Sequence, residues 1–201
     1  MIVGALLVLA FLVGSIPFGY LIGRAFYRTD IRAQGSGNIG AMNAMRSLGK
    51  RGAVAVLVLD ALKGLVPVVL MQRFAPGDLA VALAAALAVV GHCYSPWLGF
   101  KGGKGVATSI GALIGIAWPA AAIAVAGWAL GALLTRYSSV GSMLGTAAAA
   151  VALWFLTHSP VLAAYGVFAT VLIVYAHREN LARLRAGTES PIRLGRTQNQ
   201  V

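Results

Sequence analysis

Two lysines set among glycines, in the stretch FKGGKGVAT at residues 100–108, give this chain its most direct chemical opportunity. Lys101 and Lys104 bring positive charge, while Gly102, Gly103 and Gly105 permit a tight turn that aims backbone N–H groups at a ligand. An apolar run opens at Val106, so a helix starting there adds the positive end of its dipole. Such a corner suits phosphate or a similar anion. The competing reading is a flexible basic turn at a membrane face. The G-x-x-x-x-G-K-[ST] spacing of a nucleotide-binding P-loop is absent.

Two further segments have the same character. GSGNIGAMN at residues 35–43, followed by Arg46, reads as a glycine-rich anion nest. Ser36, Asn38 and Asn43 are its hydrogen-bond donors and Arg46 its charged clamp. Gly35, Gly37 and Gly40 also spell G-x-G-x-x-G, with Asp60 about 20 residues on. A dinucleotide site needs a preceding strand and a βαβ unit, and an apolar span stands there instead. The third segment is His177, Arg178, Glu179 and Asn180, with Arg183, Gly187, Thr188 and Glu189 beyond. Asp60 and Lys63 lie three apart on one helix face, either as a bracing ion pair or in contact with substrate. His92 reads as a satisfied core histidine and His158 as incidental. The lone Cys93 excludes an internal disulfide, and no metal-ligand spacing occurs.

The elements that must position these groups are membrane spans. Of 201 residues, 59% are hydrophobic and only 10% charged, more apolar surface than a soluble domain of this size can hide. Apolar runs cover residues 2–23 (with Pro17 as a kink that frees a carbonyl), 52–71, 79–94, 105–134, 140–156 and 161–176. The fourth would be about 45 Å long as one helix, against a bilayer core of about 30 Å. Trp118-Pro119 offers a break that makes two spans of it. With that break and an outside N-terminus, every basic residue but Arg73 and Lys63 of the sixteen falls on the inner side or in the tail. The positive-inside rule therefore favours seven spans over six.

The fold class is thus all-α: a polytopic membrane protein with seven transmembrane helices, some short, an outside N-terminus and a cytoplasmic C-terminus. One membrane domain fills residues 1–196, and 197–201 form a disordered tail. No cleavable signal peptide stands out. The net charge of +11 follows from topology, so nucleic acid is discarded as a partner. All three motif segments then share the inner face, and the outer loops carry almost nothing reactive.

Together these stretches resemble the bacterial acyl-phosphate:glycerol-3-phosphate acyltransferases, the PlsY family. The matching pieces are GSIPFGYLIG (14–23), GSGNIGAMN with Arg46, LDALKG (59–64), GHCYSPWLGFKGGKGVAT (91–108), TRYSSVGSM (135–143) and HRENLARLRAGTE (177–189). Met42 departs from the threonine usual in the family. The resemblance implies acyl transfer from a fatty acyl phosphate to the 1-hydroxyl of sn-glycerol 3-phosphate. The products are lysophosphatidic acid and phosphate, the first step of phospholipid synthesis at the bacterial inner membrane. No cofactor is implied. The resemblance also implies the acyl-phosphate-forming enzyme as a transient partner. Ser36, Lys104 and backbone N–H groups would hold the acyl phosphate, and Arg46, His177 and Asn180 the glycerol phosphate. Glycines 35, 37, 40, 102, 103 and 105, with Asn38, Asn43 and Lys101, would line the substrates; Asp60, Lys63, Glu179 and Glu189 would support them. The proton goes to His177 or to a phosphate oxygen. A transporter for a phosphorylated metabolite is the rival, although its site belongs near the midplane with access from both sides.

Overall fold

The computed structural model describes residues 1–192, and every regular element among them is helical. The helices are α1 (Ile2–Gly14), α2 (Phe18–Tyr27), α3 (Ala41–Ser47), α4 (Gly49–Phe74), α5 (Asp78–Cys93), α6 (Val106–Thr135), α7 (Ser138–Thr157), α8 (Pro160–Ala176) and α9 (Arg178–Arg185). The expected tail at 197–201 lies outside the described residues.

Four helical stretches are long and apolar enough to cross a bilayer, beginning at Gly49, Asp78, Val106 and Ser138. The number rises to six if the bent pairs α1–α2 and α8–α9, angled by 45° and 55°, each count as one crossing. Seven requires two crossings within α6. That helix does break, at Ala117 (φ −157°, ψ 96°), one residue before the Trp118-Pro119 pair. Proline at 119 cannot leave the carbonyl four residues back in a helical bond. That carbonyl, Gly115 O, accepts from Gln72 Nε2 of α4 at 3.0 Å. The two halves of α6 then pack against different partners. Gly111 and Gly115 meet Ala61 and Val68 of α4, whereas Gly127 and Gly131 meet Gly145 and Gly141 of α7.

The first span is not one kinked helix: α1 and α2 are separate, and helix continues through Arg24 to Tyr27. The carbonyls freed at Pro17 are both used. Ser15 O accepts from Ser95 Oγ at 2.7 Å and Ile16 O from Lys63 Nζ at 2.7 Å. These two contacts tie the break to α4 and to the turn that follows α5.

Small residues hold the bundle together. In lipid the drive to associate comes from close packing and buried hydrogen bonds, so helices approach where side chains are absent. A β-carbon on Gly64 would strike Thr108 O, and one on Gly14 would strike Ala88 O. The core accordingly consists of alanines with a few larger residues such as Met71, Leu113 and Leu153. A second cluster, Ile31, Ile39, Ala44 and Val56 among it, seats the 31–48 segment on α4.

Candidate active site

The lysine–glycine loop is pinned to the end of α5. Gly102 N–H donates to Cys93 O and Gly103 N–H to His92 O, each at 3.0 Å, capping carbonyls that the helix leaves open. The expectation of free N–H groups at Gly102 and Gly103 therefore does not hold: these glycines let the loop lie flat against α5. Gly103 is buried, and a β-carbon there would run into the His92 ring. Gly105 (φ 82°) is the residue before α6, whose first turn has no side-chain cap among the described residues. The N–H groups of that turn are the donors the loop leaves unspent. Lys101 is exposed.

Lys104 points the other way, into a partly buried slot against α9, where its ammonium donates to Asn180 Oδ1. Asn180 Nδ2 donates to Glu189 Oε1 at 2.6 Å, so the amide is oriented by the carboxylate. Glu189 also accepts from Arg183 Nε at 2.7 Å and Ser139 Oγ at 3.0 Å. Ile192 N–H donates to Arg136 O at 2.7 Å, drawing the segment after α9 across the α6–α7 turn. Burial drives Lys104 down to about 8; Arg183 and Arg46 push the same way, while Glu189 and Glu179 oppose them. Burial works to raise the Glu189 carboxyl, but hydrogen bonds from Asn180, Arg183 and Ser139 outweigh it and hold it below the usual range.

His177 caps α8 and is buried. Its Nδ1 lies 2.8 Å from Ile173 O. A carbonyl only accepts, so the proton sits on Nδ1 and Nε2 keeps its lone pair. Burial, reinforced by the charge of Lys104, lowers this histidine to about 4.

The 35–43 loop also spends several of its donors internally. Asn43, 2% exposed, accepts from Ser36 N–H at 2.8 Å and gives its amide to Ile31 O, Gln34 O and Asn38 O. It is a staple with no donor to spare, not the ligand donor expected from sequence. Gly37 N–H goes to Gln34 O and Gly40 N–H to Asn38 Oδ1, so these two donors, like that of Ser36, are spent within the loop. Gly35 (φ 57°) lies so close to Asn43 Oδ1 that a β-carbon there would strike it. The loop thus serves to present groups at its surface: Ser36 and Arg46 are both exposed, and Arg46 is close enough for its charge to bear on Lys104.

The structure brings Lys104, Asn180, Glu189 and Arg183 into one bonded chain and sets His177 and Arg46 within electrostatic reach of Lys104. Glu179 is exposed and acts on Lys104 through charge alone. Asp60 and Lys63 are not in that chain; they lie deeper in the bundle at the α1–α2 break. The sequence places Arg183 in the third polar segment but gives it no role, and it offers no sign of Ser139 beyond a place inside the TRYSSVGSM stretch. No group of three or more potential metal ligands occurs among the described residues.

A family model described as glycerol-3-phosphate acyltransferase matches residues 4–187. A protein of Brucella anthropi named glycerol-3-phosphate acyltransferase is 44% identical over 191 residues, covering 95% of this chain and 93% of its own. The Brucella suis protein of that name is 43% identical over 192 residues, with 96% and 94% covered. The crystal structure of PlsY (YgiH), an integral membrane glycerol 3-phosphate acyltransferase, in its glycerol 3-phosphate form superimposes with a TM-score of 0.91. It shares 35% identity, with 96% of each chain covered. Its lysophosphatidic acid form gives 0.88 at 34% identity, with 95% of each chain covered.

Proposed function

From the premise that this chain belongs to the PlsY family of integral membrane glycerol-3-phosphate acyltransferases, we propose that it takes its acyl group from a fatty acyl phosphate. The acceptor is the 1-hydroxyl of sn-glycerol 3-phosphate, and the products are lysophosphatidic acid and inorganic phosphate. One observation carries the reading: Lys104, the uncapped first turn of α6, Asn180 and Arg46 converge at one end of an apolar bundle. Two phosphates need cations and donors, and an acyl chain needs lipid beside them.

An acyl phosphate is a mixed anhydride, so no covalent enzyme intermediate is required. The hydroxyl oxygen attacks the acyl carbonyl, the tetrahedral adduct collapses, and the carbonyl-carbon-to-phosphate-oxygen bond breaks. The protein's part is orientation and charge stabilisation. Lys104, with Ser36 and the first turn of α6, holds the acyl phosphate and stabilises the leaving group. Arg46 and Asn180 hold glycerol phosphate, and His177 offers its free Nε2 to the hydroxyl. A histidine this acidic is a weak resting place for a proton, which favours the leaving phosphate as the final acceptor. Gly35, Gly37, Gly40, Gly102, Gly103 and Gly105 shape the site, with Asn38 and Asn43 as loop fasteners. Asp60, Lys63, Glu179 and Glu189 support it.

The same reading sets the topology. Counting each half of α6 as a crossing gives seven, with the N-terminus outside and the site on the cytoplasmic side of the bacterial inner membrane. Residues up to about 196 then form one domain. An acyl-phosphate-forming enzyme is a fitting transient partner for so water-sensitive a substrate. Purified protein in detergent, given acyl phosphate and labelled glycerol 3-phosphate, should release labelled lysophosphatidic acid. Absence of product with acyl phosphate but turnover with another acyl donor would overturn the assigned donor.

A further inference from the structure

Behind the lysine–glycine loop lies a buried polar cluster that takes no step in acyl transfer as described and whose means of supporting the site is still to be named. Asp60, Lys63 and His92 are 1%, 3% and 3% exposed. Lys63 Nζ stands 2.8 Å from Asp60 Oδ1, and His92 Nδ1 stands 3.7 Å from that same oxygen without a hydrogen-bond partner among the described residues. An ion pair this deep cannot shift cheaply, because parting the two leaves an uncompensated charge. Lys63 is further fixed by Ile16 O at the α1–α2 break. The His92 ring therefore lies between this buried pair and the loop.

On the loop side His92 meets Gly103 twice. Its carbonyl takes the Gly103 N–H at 3.0 Å, and its ring occupies the place a β-carbon on Gly103 would need. Lys104 is the next residue. We propose that His92 is a positioning residue for the acyl transfer: its ring, braced by Asp60 and Lys63, sets how closely Gly103 approaches α5 and thereby aims Lys104 at Asn180. This inference rests on the reading of Lys104 as a phosphate-holding group.

The test is a steric double-mutant cycle in the intact detergent-solubilised protein, with kcat and KM for both substrates. Gly103→Ala alone pushes the loop off an unyielding ring, and kcat should fall about a hundredfold, the scale of an ångström-sized misplacement. His92→Ala alone should cost about tenfold. In the His92→Ala background the new methyl has room, so adding Gly103→Ala should cost less than about threefold more. A second readout separates positioning from mere packing. When His92→Ala loosens the loop, Lys104 regains water, and the alkaline limb of kcat/KM should move up from about 8 towards the ordinary lysine range. If His92→Ala does not assemble, His92→Asn, a shorter side chain, carries the same cycle. Equal cost of Gly103→Ala in both backgrounds, or an unmoved alkaline limb, would overturn the proposal. Lys104→Ala, run alongside, tells the two levels apart: near-normal turnover there removes the reading of Lys104 itself.

Discussion

Lys104 gives the molecule its sharpest pH signature. Its ammonium is disfavoured by burial and by Arg183 and Arg46, so the group loses its proton at about 8. Because the folded value is depressed, the charged form prevails at neutral pH and vanishes as pH rises through that range. The kcat/KM profile should therefore fall on the alkaline side of about 8, and Lys104→Arg should abolish that limb while lowering overall activity, since a planar fork does not fit the Asn180 slot. His177 behaves oppositely to a surface histidine. Lowered to about 4, it stays neutral above that pH, and ring-nitrogen NMR shifts should show no titration between pH 5 and 8. Arg46→Lys keeps the charge and loses the bidentate grip; kcat/KM should drop by about a hundredfold, measured in the detergent assay. The sequence made these residues visible because each is a charged or polar type beside glycine in an apolar chain. It could not show that Asn43 spends its whole amide inside its own loop, because that depends on where three carbonyls end up.

At the scale of elements, what matters is how closely helices are allowed to approach. α4 and the first half of α6 touch through Gly64 against Thr108 and Gly111 against Ala61, backbone to backbone. Gly111→Ala should destabilise the fold by about 2–3 kcal/mol, the scale of overpacking, visible as a lower Tm in detergent with less folded protein recovered. The strap after α9 makes a different prediction. Glu189→Ala removes the acceptor that orients Asn180 and pairs Arg183, so kcat should fall about tenfold or more while the protein still assembles, because these contacts lie at the bundle's end. The break in α6 was legible from Trp118-Pro119 to within a residue, since proline forbids the helical bond. The sequence shows the division of α1 from α2 only as a kink at Pro17. Its completeness depends on Lys63 and Ser95, partners distant in sequence that make open carbonyls tolerable in lipid.

For the molecule as a whole, the charge asymmetry and the joined Lys104–Asn180–Glu189 chain make one demand: every part of that chain must be reached from the same aqueous side. Single cysteines placed at Lys101 and Glu179 should react with an impermeant maleimide from the cytoplasmic side, and one at Gly77 from the other; Cys93 is buried. A reversal of any of these would break the seven-span reading.

The amide hydrogens of Gly102 and Gly103 are already committed to α5, and those of Ser36, Gly37 and Gly40 to their own loop. Both cradles are thus stiff before any substrate arrives, and capture need not freeze a floppy segment. Deuterium uptake at these five positions should be slow in the empty protein and scarcely slower when glycerol phosphate is added, the behaviour of a mould and not of a closing hand.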